Sequence, residues 1–599
     1  MGIGKFSLLV FLFFVIFAPF VFGASGEISL VTVGESFDGE KIGGVADISL
    51  KVKPGSGKVF IDSFPFTRED TQVSVRFAKD IACNFLELDC SVLDFFYSID
   101  IGSTHVGGPS AGAAISALTI SVLNNEVLDD SVVVTGTINS GGIVGPVSGL
   151  REKAVAARNA GFDKILVPKF SVLSDKTLDG INESGVNISD VSVDSNITIF
   201  YADSLVVDGI DVVPVSTLEE ILFEFTGKTY PDYSHEINVP EQYQDIMRRV
   251  SGNLCNRSEL ILGNLSDDVI RENEVEFDEA YNSVERGLNA TASSDFYSAA
   301  SFCFSANTIL RTLEFSILDN ETLKDISDNL YEEFVDALFV LESVELETMS
   351  DLETYIIVRE RLMEVEQLFD EENHLDNLGY IVERFFSASA WSSFFEYEGE
   401  SIELDDAHLK SACISKISEA EERLSYIDFL TGSIFDRSEL EDVHGIKEQE
   451  DYAFCIFRAA KVKADANAII LSMSLSRDMA SDLIEDQLTF ARMQINKQGS
   501  KFPILGYSYY NYASTLKDSR PQLSIIFAEY ASEFSNLDIY FPSERRVPWF
   551  LLFRSYDGLF LGLVIGFALC IGLFSSWFLL HRLFAKKSKK RRKMKRSRK

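Results

Sequence analysis

The chain has 599 residues, is 46% hydrophobic and is rich in Phe, a folded multidomain composition rather than a disordered one. Its formal net charge of -38 is unevenly spread. Residues 582–599 hold twelve Lys and Arg, and apart from these and Lys5 only 41 cationic residues face all 92 acidic ones. So negative a surface repels nucleic acid, which is excluded as a partner. No CxxC pair or His-rich ligand set occurs, so neither a metal nor another cofactor is expected.

At the N-terminus an apolar run over 6–22 follows a single Lys5 and precedes Gly23, Ala24 and Ser25. It reads as a secretory signal peptide over 1–23 or, if uncleaved, as a membrane anchor. Strand signals follow at 28–33, 45–52 and 55–63, then a helix over 68–87 with Val75, Ala78, Ala82 and Phe85 on one face. A strand at 93–101 leads into Gly107-Gly108-Pro109 and an Ala-rich helix over 110–123. A buried strand at 132–135, a Gly-rich turn over 140–149, a helix at 150–160 and a strand at 165–167 come next. The polar stretch 178–200, with three N-x-S/T sequons, reads as a surface insertion, and a strand pair leads to a helix at 216–226. The whole is an α/β domain over 24–229.

A Pro- and Tyr-containing linker at 230–242 separates it from an all-α domain over 243–545. There Cys413, Ile417, Ala420, Leu424 and Ile427, and again Cys455, Ala459, Val462, Ala466 and Ile469, repeat at helical spacing. This domain carries no catalytic motif and reads as a spacer or interaction platform, so that an isolated α/β fragment is expected to keep its chemistry. Six cysteines precede residue 557 and permit disulfides, Cys83–Cys90 first among them. Cys303, Cys413 and Cys455, on apolar stripes, are equally expected to be buried free thiols. Residues 558–580 form an uncharged apolar run, about 34 Å long as a helix, and are expected to cross a membrane once. The basic tail 581–599 is expected to stay cytoplasmic, leaving the large N-terminal part outside.

Chemistry concentrates in 104–168. Ser110, after a Gly-Pro turn, stands at a helix start, where backbone N–H groups and the dipole favour an oxyanion; an ordinary N-cap serine has the same setting. A base is needed, and His105 is the one histidine of this domain. Lys153, at the start of the next helix, is the alternative if burial lowers its pKa; taken alone it reads as a solvated surface lysine.

Three motifs in register, Gly108-Pro109-Ser110-Ala111-Gly112, Thr135-Gly136 and Gly149-Leu150-Arg151-Glu152-Lys153, resemble the proteolytic domain of Lon proteases. The resemblance is strongest over 104–168. It implies the α+β fold of that domain and a serine-type endopeptidase. Its dyad would be Ser110 as nucleophile and Lys153 as base, with Thr135 orienting the lysine. The N–H groups of Ser110 and Ala111 are the oxyanion donors this implies. Protein or peptide substrates follow from the resemblance, and a homo-oligomer by analogy. Gly107 stands where many Lon sequences have an acid, Thr137 where Lon often has Glu, and Phe96 and Ser98 where histidines are common. No GxxxxGK[ST] phosphate loop occurs, so the chain is more similar to archaeal-type secreted, membrane-anchored Lon-like peptidases without an ATPase. The alternative is an inactive Lon-fold scaffold.

Overall fold

Alternating apolar residues make the two longest strands, β1 (Ala24–Glu35) and β2 (Lys41–Pro54), which pair antiparallel with Ala24 opposite Val52 and Glu35 opposite Lys41. The pleat turns Ile28 and Leu30 to one face of the sheet and Val31 to the other, where each joins a different core. In this computed structural model the described residues are 24–35, 41–64, 69–100, 108–173, 198–201, 205–431, 434–472, 480–499, 501–541, 563, 565–574 and 576–578. The sheet adds β3 (Val59–Phe64), β4 (Leu93–Asp100), β5 (Val132–Val134), β8 (Lys164–Pro168) and β11 (Asp211–Val215), in the order β11-β8-β5-β1-β2-β4-β3. It is mixed: β1–β2 and β2–β4 run antiparallel, the other neighbours parallel. Two small antiparallel pairs stand apart from it, the hairpin of β6 (Thr137–Asn139) with β7 (Ile143–Gly145), and β9 (Phe170–Leu173) with β10 (Thr198–Tyr201).

Helices cover both faces. On one lie α1 (Glu69–Phe85), α2 (Gly112–Asn124) and α4 (Leu218–Thr226); on the other lies α3 (Leu150–Ala160). Helix α2 is the centre of the domain, with twelve of its thirteen residues buried. A helix enclosed on every side has no solvated stripe, which is why its sequence is Ala-rich and its buried Ser116, Thr119 and Ser121 donate to backbone carbonyls. Helix α3 is seated tightly on β2: a Cβ at Gly43 would lie 2.1 Å from the Glu152 carbonyl oxygen.

After a connection over 227–240 without helix or strand, helices take over from Glu241 to Phe534, thirteen of them among the described residues. The stripes Cys413–Ile427 and Cys455–Ile469 are buried, as their spacing predicts. The cysteines on them are not free. Cys413 pairs with Cys455 and Cys255 with Cys303, each joining two helices, and Cys83 pairs with Cys90 in the α/β domain. A cysteine facing a neighbouring helix looks in its own helix like a buried thiol; the partner's position decides.

The helical region is no detached spacer. Lys416, Glu419, Lys463 and Glu533 form a buried ion cluster that also engages Ser140 of the α/β domain. Lys416 Nζ lies 2.6 Å from Glu533, and Lys463 Nζ lies 2.8 Å from Glu419 and 3.0 Å from Glu533. The Ser140 hydroxyl donates to Glu533 at 2.9 Å and accepts from Lys463 at 3.1 Å. Burial alone would raise the Glu533 carboxyl, but the two ammonium groups outweigh it and hold it down to about 2. The expected insertion over 178–200 lies mostly outside the described residues, as do 1–23 and 581–599. Of 558–580, residues 563, 565–574 and 576–578 are helical, and no helix among the described residues is long and apolar enough to cross a membrane.

Gly43→Ala tests the seating of α3. The added methyl meets a backbone carbonyl, which cannot swing aside as a side chain would, so α3 has to lift from the sheet. We expect a loss of about 1–3 kcal/mol, measured as a lower Tm and denaturant midpoint.

Candidate active site

Ser110 sits in a single 3-10 turn, Pro109–Ala111, rather than on the α-helix that begins at Gly112. The tighter turn follows from its flanks. Gly108 adopts φ +110, which a side chain would resist, and Pro109 presets the next φ. The Gly112 N–H then closes an i to i+3 bond on the Pro109 carbonyl. Asp70, at the start of α1, accepts the Gly108 N–H at 3.3 Å. That acid steadies the turn from another element, and no spacing in the sequence points to it.

The end of β5 runs directly behind Ser110. The Gly136 N–H donates to the Ser110 carbonyl at 2.9 Å, and the Ala113 N–H donates to the Gly136 carbonyl at 3.1 Å. The Thr135 hydroxyl donates to the same Ser110 carbonyl at 3.4 Å and accepts from Lys153 Nζ at 3.1 Å. Thr135 thus links the lysine to the serine turn. Ala111, the third residue of that turn, is half-buried. Lys153 enters from the first turn of α3, whose N-cap Gly149 has φ +67.

The lysine is only 2% exposed, so it is not a solvated surface residue. Burial lowers its ammonium to about 7, and no carboxylate offsets that cost. Near neutral pH it is therefore in part a free amine able to take a proton. Ser110 and Lys153 line one cleft, whose walls are Leu30, Val31 and Val33 of β1, Ile99 of β4, Ile115 of α2, and Tyr426 with Phe429. The last two come from the helix Asp406–Thr431 of the helical region. Thr71 and Ser148 add polar edges. The helical region, expected as a spacer or interaction platform, thus lends two side chains to the cleft.

His105 and Gly107 lie outside the described residues. Phe96 stacks on Phe60 at a centroid distance of 4.7 Å on the β3–β4 edge, and Thr137 accepts a hydrogen bond from Arg423 at 3.4 Å. Away from the cleft, Glu403, Asp405 and His408 bring one ligand atom each within 4.8 Å of one another. Both acids are exposed, and such groupings are common on acidic surfaces.

Residues 82–190 match the family model of the Lon protease (S16) C-terminal proteolytic domain. The Lon protease of Methanosarcina barkeri is 28% identical over 174 residues, which is 28% of this chain and 19% of that protein. That of Clostridium beijerinckii is 27% identical over 190 residues, 31% of this chain and 20% of its own. That of Paraburkholderia phytofirmans is 30% identical over 143 residues, 23% and 18% of the two chains. The chain thus spans about a fifth of the length of the curated relatives it matches. Ser110, Thr135 and Lys153 fall inside the matched segment; Tyr426 and Phe429 fall outside it.

Two substitutions test this geometry through peptide hydrolysis. Lys153→Arg keeps the charge but not the ability to lose a proton near neutral pH, so activity should vanish. Thr135→Val should cost about 10–100-fold, the loss of one hydrogen bond to a charged group. If Lys153 serves as the base, the wild-type rate should rise as pH passes through about 7, where its amine loses its proton, and then level off.

Proposed function

We propose that the chain is an ATP-independent serine endopeptidase, anchored in a membrane by 558–580 and acting outside the cytoplasm on flexible protein segments. The observation that carries the reading is Lys153: an amine buried without a carboxylate, bonded to Thr135, in the cleft that holds Ser110. In this mechanism Ser110 Oγ attacks the scissile carbonyl carbon while Lys153 Nζ takes the hydroxyl proton. The N–H groups of Ser110 and Ala111 hold the oxyanion, a role worth about 10²–10³ in rate per donor. Collapse breaks the C–N bond, and Lys153 returns its proton to the leaving amine. Water, deprotonated in turn by Lys153, then attacks the acyl-serine ester; its C–O bond to Ser110 breaks as Lys153 returns that proton to Ser110 Oγ.

The similarity to Lon proteases over the matched segment supports the reaction class. The lack of a phosphate loop in 599 residues supports independence from ATP, and the apolar run with its basic tail supports the anchoring. Without an unfolding motor, such an enzyme acts on segments already extended.

Labelling of the full chain with a fluorophosphonate, followed by peptide mapping, tests the nucleophile. We expect labelling at Ser110, and its loss together with all peptide hydrolysis in Ser110→Ala. A wild-type chain that neither labels nor cleaves would leave the scaffold reading instead. For the topology, protease added to intact cells should digest the large part and spare a tag on the C-terminal tail. A protected large part would overturn it.

A further inference from the structure

The helix Asp406–Thr431 carries Lys416, Glu419, Arg423 and Tyr426 at steps of three, four and three, on one face, and all four are buried. Charged residues at this spacing ordinarily mark a solvated face. Here the last two meet the hairpin that joins Thr135 to Lys153, and the first two join the ion cluster that grips its tip. Arg423 Nη1 donates to the Thr137 hydroxyl at 3.4 Å, and its Nη2 donates to the Ile138 carbonyl at 3.4 Å and to Asn139 Oδ1 at 2.5 Å. The Tyr426 hydroxyl donates to the Pro146 carbonyl at 3.2 Å. Thr137 is two residues beyond Thr135, and Pro146 is three before Gly149, the N-cap of the helix that presents Lys153.

The hairpin needs such a hold. Its strands are three residues each, and a two-stranded ribbon of that length is at best marginal alone. Its tip turns through Gly141 and Gly142, both at positive φ. The Gly141 carbonyl accepts from Gln494 Nε2 and Lys497 Nζ, each at 3.2 Å. Ser140 is gripped by Lys463 and Glu533. Outgoing limb, tip and return limb are all bonded to the helical region.

We propose that Arg423 and Tyr426 are positioning residues: by clamping the two limbs of the β6–β7 hairpin, the helical region holds Lys153 against Thr135 and keeps the lysine buried at the floor of the cleft. The proposal rests on the reading of Lys153 as the base. Neither residue touches the reacting atoms through its polar group; each acts through the backbone between Thr135 and Gly149. Beside Thr135, the side chains lining the cleft of Lys153 come from β1, β4, α1, α2, the Gly108 turn, Ser148 and this helix. Among the described residues lining that cleft, Tyr426 is the one other titratable group. Burial accordingly governs Lys153, and an opened clamp lets water restore its ordinary behaviour.

The test compares the full-length wild type with Arg423→Met, Arg423→Lys and Tyr426→Phe in peptide hydrolysis across pH. For Arg423→Met, kcat should fall about 10–100-fold with KM little changed, and the pH midpoint of kcat/KM should move upward by about one unit. Tyr426→Phe keeps the ring and removes only the hydroxyl, so it should lose about 3–10-fold with a smaller upward shift. Arg423→Lys, which retains the charge and a donor, should recover part of the loss. Calorimetry and disulfide mapping check the fold of each variant. An active wild type whose folded variants keep its kcat and pH midpoint overturns the clamp alone. If Arg423→Met fails to fold, Tyr426→Phe decides by the same two readouts. A wild type that never labels at Ser110 overturns the peptidase reading and the clamp with it.

Discussion

Lys153 loses its hydration without gaining a carboxylate, and the architecture around the cleft follows from that imbalance. Lys416 shows the contrast within the same chain. Both lysines are buried almost completely. For Lys416 the cost of burial is outweighed by Glu419 and Glu533, so its ammonium is held above the ordinary lysine range. Lys153 has one hydroxyl for a partner, and its ammonium falls to about 7. The same side chain becomes a structural cation in one place and an available base in the other, and the neighbouring carboxylates make the difference. Such a base also needs a rigid seat, since any opening rehydrates it. The contact of α3 with β2 at Gly43 and the stitching of Gly136 to the Ser110 turn supply that seat.

The interface between the two regions obeys a different constraint. An apolar contact tolerates sliding; an ion cluster does not, because each charge is compensated in one register. Removing one partner of a buried pair costs about 3–5 kcal/mol, since the other charge is left stranded. Lys416, Lys463, Glu419 and Glu533 share their charges across three helices of the helical region, and Ser140 ties the cluster to the α/β domain. Lys463 also stands 4.3 Å over the ring of Phe77 on α1. Such an arrangement favours orientation over raw affinity, which suits a surface that borders the cleft of Ser110 and Lys153.

The sequence was most legible where chemistry is local. The Gly-Pro turn before Ser110, the strand ending at Thr135 and the Gly-capped start of the lysine helix each leave a short signature, and the fold brings all three together. Helical stripes such as Cys413–Ile427 could be read because one face of one helix is enough to define them. What could not be read depends on two distant segments at once. The 416–426 face looks solvated until Glu533 and the 137–146 hairpin are placed against it. Asp70 looks like an ordinary first-turn acid until Gly108 arrives. The interhelical disulfides belong to the same class, because a stripe reveals that a cysteine is buried and not what it faces.

A dry cleft and an apolar cleft are one requirement here. Leu30, Val31, Val33, Ile99 and Ile115 surround Ser110 and Lys153 with side chains that cannot solvate an ammonium. Tyr426 is buried behind them, while Phe429 remains 54% exposed at the rim and stacks on Tyr426 at 6.3 Å. An exposed aromatic at the mouth of an apolar cleft is covered when a chain lies across it, which removes further water from the lysine. Substrate binding and activation of the base are therefore coupled in the proposed reaction. Each apolar contact made by the incoming segment also lowers the cost of keeping Lys153 neutral. The apolar surroundings that lower Lys153 thus fit the proposed preference for flexible segments.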